Sequence, residues 1–116
     1  MISDTFSAEI TPFFFINHGS SYSTCLNVGS YKTEIFLARE SEGFIGNGYD
    51  WVSLAEVFLN EKVPVLKDII HFDPEADMFT AYSSDEDALK KFTLLFKEAC
   101  ENSVLITDLF SRAELD

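Results

Sequence analysis

His18 and His71 are the side chains of this sequence best suited to moving a proton near neutral pH. Paired with a lysine, they could form a ribonuclease-like acid–base couple. No motif fixes their mutual geometry, however. One sits in a Gly-Ser turn and the other in an apolar run, so both read as solvated or structurally satisfied. Asp73, Glu75 and Asp77 place three carboxylates at alternate positions, as calcium loops do. An EF-hand requires a glycine at its sixth position and a glutamate at its twelfth, where this chain has Met78 and Ser84. The glycine-rich stretch from Gly43 to Gly48 precedes an expected helix, which is a place for phosphate. It lacks both the Lys-Ser/Thr of a P-loop and a GxGxxG pattern. Cys25 and Cys100 lie far apart among apolar residues, form no CxxC pair and read as reduced core thiols. The expectation is therefore no catalytic residue, no metal and no cofactor.

Charge is the stronger signal. Twenty acidic residues stand against eight basic ones in 116 residues, for a formal net charge of −12. Yet 47% of the residues are hydrophobic and 15% aromatic, with twelve phenylalanines. A chain this apolar can build a core, so the acid does not mark a disordered tail. One domain over 1–116 is expected, with a strongly negative surface. Such a surface repels nucleic acid and anionic membranes and attracts basic proteins or cations. Between Asp68 and Leu89 there are seven acids (Asp68, Asp73, Glu75, Asp77, Asp85, Glu86 and Asp87) and no Lys or Arg. Uncompensated charge resists compaction by self-repulsion, and a standing cationic partner would explain its presence. The opening MISDTFSAEI has no basic segment followed by an apolar one, and no unbroken apolar run is longer than the four residues of Phe13 to Ile16. These features predict a cytoplasmic protein without a membrane span.

The elements that must position these residues follow from periodicity. Phe13 to Ile16 reads as a short strand, and the alternation from Tyr22 to Val28 as a second. Gly29-Ser30 suits a hairpin turn into a third strand, Thr33 to Arg39. A helix begins near Asp50, capped by Asp50 or by Ser53 of the box Ser53-Leu-Ala-Glu56, and carries Trp51, Leu54, Ala55, Phe58 and Leu59 on one stripe. Ile69 to Asp73 and Met78 to Tyr82 read as strands joined by a turn at Pro74. Ser84 opens a second capping box before a helix bearing Leu89, Phe92, Leu95, Phe96 and Ala99. Ser103 caps a last short helix. This order predicts an α+β fold: an antiparallel sheet of about five strands with two to three helices packed on one face.

Three segments carry a family resemblance: Gly46-Asn-Gly-Tyr-Asp-Trp51, Ile70-His-Phe-Asp-Pro-Glu-Ala-Asp-Met-Phe79, and the ending Arg112-Ala-Glu-Leu-Asp116. Together they resemble the immunity protein 51 family of bacterial polymorphic toxin systems, over residues 30 to 116. The resemblance implies a small α+β domain that acts as a cytoplasmic antitoxin. Its partner would be the toxin domain encoded beside it, as in contact-dependent growth inhibition. It implies no catalytic residues. Gly46, Gly48, Tyr49, Asp50 and Trp51 become fold determinants, the glycines allowing the turn and Trp51 filling the core. Charge complementarity then points to a basic toxin, a nuclease above all, because a nuclease must be basic where it holds phosphate. The expected contacts are Glu40, Glu42, Asp73, Glu75, Asp77, Asp85, Glu86 and Asp87. A small hydrolase using His18 or His71, and a domain that self-associates into a homo-oligomer, remain as alternatives.

Overall fold

The computed structural model describes residues 4–115. The outermost residues of the expected 1–116 domain, including the last of the Arg112–Asp116 segment, lie outside them. Nine regular elements follow one another: α1 (Asp4–Ile10), β1 (Phe14–Asn17), β2 (Tyr22–Asn27), α2 (Thr33–Leu37), α3 (Gly48–Lys62), β3 (His71–Phe72), β4 (Met78–Ser83), α4 (Glu86–Glu101) and α5 (Ser103–Phe110). Short 3-10 turns occupy Glu40–Glu42 and Pro64–Leu66. The four strands form one antiparallel sheet in the order β1-β2-β4-β3. The fold is α+β.

Strand residues alternate between two faces, and the register defines rows across the sheet. Phe15, Thr24, Ala81 and Phe72 form one row, and Ile16, Ser23, Tyr82 and His71 the next. The first row belongs to the covered face. There Thr24, Leu26, Phe79 and Ala81 are at most 1% exposed, because α3 and α4 pack across β2 and β4. Helix α1 adds Phe6, whose ring meets Phe15 edge-on at 5.6 Å. Trp51 sits at the centre, stacked on Tyr31 at 6.1 Å and edge-on to Phe13 and Phe96 at 6.2 and 6.1 Å. Such pairs add about 0.5–1.5 kcal/mol each beyond their buried area. The polar groups of this face satisfy one another. Thr93 Oγ1 donates to Leu89 O at 2.8 Å, so the 2.7 Å bond between the two threonines must be donated by Thr24.

The sheet has four strands, and the expected strand from Thr33 to Arg39 is helical over Thr33–Leu37. Ile35 and Phe36 are both buried while Leu37 is 56% exposed. A strand cannot bury two successive residues against one layer, whereas a helical turn can. Gly29, with φ of 108°, turns the chain off the sheet into that helix rather than into a hairpin. Helix α1 was not anticipated, and β3 is shorter than the expected strand from Ile69 to Asp73. The caps also differ. Asn47 caps α3, Asp85 caps α4 and Asn102 caps α5, accepting from the amides of Asp50, Ala88 and Leu105. The expected caps Asp50, Ser53, Ser84 and Ser103 do not. Asx and Ser residues cap almost equally well, so neighbours of both types leave the choice to the path of the chain.

Candidate functional site

The acidic turn is built by main-chain bonds. Asp73 N donates to Thr80 O at 3.0 Å, Glu75 N to Met78 O at 2.9 Å and Met78 N to Glu75 O at 3.3 Å. Two other segments grip the turn from outside. Val28 N donates to Asp77 O at 3.2 Å, and Gly48 N to Ala76 O at 3.1 Å. Gly48 opens α3, and a Cβ there would collide with the carbonyl oxygens of Glu75 and Met78. The two glycines of the Gly46–Trp51 segment thus do different things. Gly46 supplies a left-handed backbone (φ 80°), while Gly48 lets a second main chain approach. Asp50 is 3% exposed and faces backward, where its Oδ2 accepts from the amides of Ile45 and Gly46 at 2.7 and 2.8 Å. Tyr49 is 42% exposed.

With the turn held this way, the side chains of Asp73, Glu75 and Asp77 are left exposed. None forms an ion pair or hydrogen bond with another described residue. Among the described residues no three His, Cys, Asp or Glu side chains converge as a metal ion would require.

The other expected acids are placed differently. Asp85 Oδ1 accepts from Ala88 N at 3.0 Å, and Glu86 pairs with Lys90 at 3.4 Å, whereas Asp87 is exposed and unpaired. Glu42 takes a two-point fork from Arg39 at 2.9 and 2.7 Å, which holds its carboxyl below the usual range. Arg39 in turn lies over the Phe44 and Phe110 rings and donates to the carbonyls of Phe110 and Ala113 at 2.5 and 2.8 Å. Glu42 therefore belongs to a structural clamp, while Glu40 beside it is exposed and unpaired. Nor are the acids of the 68–89 window one patch. Asp77 and Asp85 flank opposite ends of β4, whose six residues span about 20 Å.

Between those ends lies the second face of the sheet, which none of the described helices covers. It carries Phe14, Ile16 and Tyr82 at 36%, 38% and 39% exposure, with Ser23, Thr80 and His71 among them. Sequence reasoning missed this face. The signal was the alternation itself, with large apolar residues on both sides of β1 and β4. His71 rests on the Tyr82 ring at 5.4 Å. His18 shares a 2.9 Å hydrogen bond with Ser23 Oγ, in the same row. The fold thus brings both histidines to one face, but with Ser23 and His71 separated by two strand spacings, about 10 Å. Among the described residues, neither ring donates a hydrogen bond to an orienting carboxylate. Cys25 lies beneath Thr80, and burial pushes its thiol up. Cys100 is enclosed in the helical layer, and burial does the same there. Neither is an activated nucleophile.

Two of the surface concavities border these elements. An open groove of about 740 Å³ runs between α3 and β3, with Tyr49, Asp68, His71 and Tyr82 on its walls. A smaller apolar cleft of about 280 Å³ separates α2 from α5 at Ile35, Cys100, Ile106 and Phe110. No helix among the described residues is long and apolar enough to cross a membrane.

Comparison with known proteins agrees with the resemblance carried by the two motifs that meet at Gly48. The sequence model of the immunity protein 51 family matches residues 13–115. No curated protein and no solved structure matches the chain. The match spans nearly the whole sequence, and the chain belongs to the immunity protein 51 family.

Proposed function

We propose that this immunity protein binds a basic toxin domain, most plainly a nuclease, and neutralises it in the cytoplasm by occluding its active site. It is an inhibitor rather than a catalyst. One observation carries the reading: Asp73, Glu75 and Asp77 stand exposed and unpaired on a turn that the main chain alone holds in place. Exposed like charges on a rigid support are a cost to the free protein, which already carries −12. A cationic surface offsets that cost, and a nuclease must present one to phosphate. Asp85, Asp87 and Glu40 extend the negative field, with Glu42 and Glu86 contributing less because each already has a basic partner.

Charge complementarity of this kind steers encounter, with rates of about 10⁸ M⁻¹s⁻¹ or more at low salt. The test is co-expression with the toxin domain encoded beside the gene. Growth is expected to be rescued, and the association rate constant to fall steeply as sodium chloride rises. A rate constant independent of salt would remove the electrostatic part of the reading, and absence of rescue would remove the whole.

A further inference from the structure

We infer that the open face of the sheet, which carries Phe14, Ile16 and Tyr82, is the surface on which the basic toxin domain is seated. The inference rests on the reading above and adds the anchor that the acids alone do not provide.

The face joins apolar anchors to charged ends: Phe14 and Ile16 stand on the edge strand β1 and Tyr82 on β4, with Ser23, Thr80 and the buried Cys25 between them. Its residues on β1, β2 and β4 (Phe14, Ile16, Ser23, Cys25, Thr80 and Tyr82) are all uncharged. At one end of β4 lie Asp73, Glu75 and Asp77, and beyond the other Asp85 and Asp87. Strands of four, six, two and six residues, at about 3.3 Å per residue and about 4.8 Å spacing, offer roughly 290 Å². A stable complex covers about 800 Å² per partner, so the face and both acidic rims must be engaged together. The groove between α3 and β3 continues the surface, because His71 and Tyr82 border both.

The choice of occupant follows from charge. A second copy of this chain would bring −12 against −12 and set acidic rims beside acidic rims. A partner that is basic around an apolar patch meets no such opposition. The aromatic side chains then supply slow dissociation, while the acids supply fast encounter.

The experiment uses the full chain and, as probe, the C-terminal domain of the polypeptide encoded directly upstream, made catalytically inactive. Binding kinetics are compared for the parent protein, Tyr82→Ala, Ile16→Lys and, on the far surface of α5, Val104→Lys, where Val104 is 83% exposed. The expected result is at least a tenfold loss of affinity for Tyr82→Ala and Ile16→Lys, mainly through faster dissociation. Val104→Lys is expected to bind like the parent. Tyr82→Ala removes atoms without adding charge, so it carries the test if Ile16→Lys melts early. Parent-like binding by Tyr82→Ala and Ile16→Lys overturns this inference and leaves the proposed function standing. No binding by the parent overturns both. A concentration-dependent dimer of the parent in light scattering, abolished by Ile16→Lys, overturns it in favour of a second copy.

Discussion

The two faces of the sheet are made by the same strands yet have opposite fates. On β4, Phe79 and Ala81 point into the helical layer and are fully buried, whereas Tyr82 on the other side is 39% exposed. On β2, Thr24 bonds to Thr93 of α4, whereas the Ser23 hydroxyl bonds to His18 of the turn that joins β1 to β2. One face holds the domain together, and the other contributes little to that task. A strand ordinarily sheds apolar side chains on the side that faces water. Here that side keeps Phe14, Ile16 and Tyr82, so the faces differ in what covers them more than in polarity.

The contrast can be broken in order of expected effect. Gly48→Val, which forces a side chain into the carbonyls of Glu75 and Met78, is expected to cost more than about 4 kcal/mol. Chemical denaturation would then show no stable native baseline. A near-normal unfolding midpoint would mean that the turn can leave α3 freely. Next comes a pair on one strand. Phe79→Ala is expected to lose about 3–5 kcal/mol as a large-to-small change in the core. Tyr82→Ala is expected to lose under about 1 kcal/mol. Equal losses in urea titrations of the two variants would erase the distinction between the faces.

Acid pH probes the paired carboxylates. Glu42, Glu61 and Asp108 are held below their usual range by Arg39 and Arg112. A lowered folded value stabilises above the unfolded one, and that contribution is lost as pH falls through the folded value. Melting temperature should therefore drop below the ordinary carboxylate range, near about pH 4. Arg112→Met should make the drop shallower, and an unchanged slope would show that the pairs of Glu61 and Asp108 with Arg112 contribute nothing. The smallest effect belongs to the acidic turn. The triple change Asp73→Asn, Glu75→Gln and Asp77→Asn should leave the melting temperature level or slightly raised, since it removes only repulsion. A marked fall in calorimetry would show a structural role for those side chains.

Much of this was legible from periodicity. Helices α3 and α4 declared themselves through apolar stripes, α5 through a shorter one, β2 through alternation, and β4 as an apolar run beyond the turn at Pro74. Helix α1 did not, because it offers only Phe6 and Ile10, one turn apart, as buried positions. The segment Thr33 to Leu37 misled because five residues fit either period, and only the joint burial of Ile35 and Phe36 decides. The acids of 68–89 looked like one cluster because sequence distance hides the length of β4. Least legible was the role of Gly48. A glycine in a sequence shows freedom, but not which distant main chain will use the space.

That approach has a consequence for how the surface can change over generations. The turn from Asp73 to Met78 keeps its shape through amides, carbonyls and the missing side chain of Gly48. The carboxylates of Asp73, Glu75 and Asp77 make no hydrogen bond that sets that shape. Residues at positions 73, 75 and 77 can be exchanged like pins in a fixed socket, the backbone passing unaltered from one set to the next. If the proposed toxin contacts lie on this turn, their chemistry can be rewritten without reopening the question of whether the chain folds.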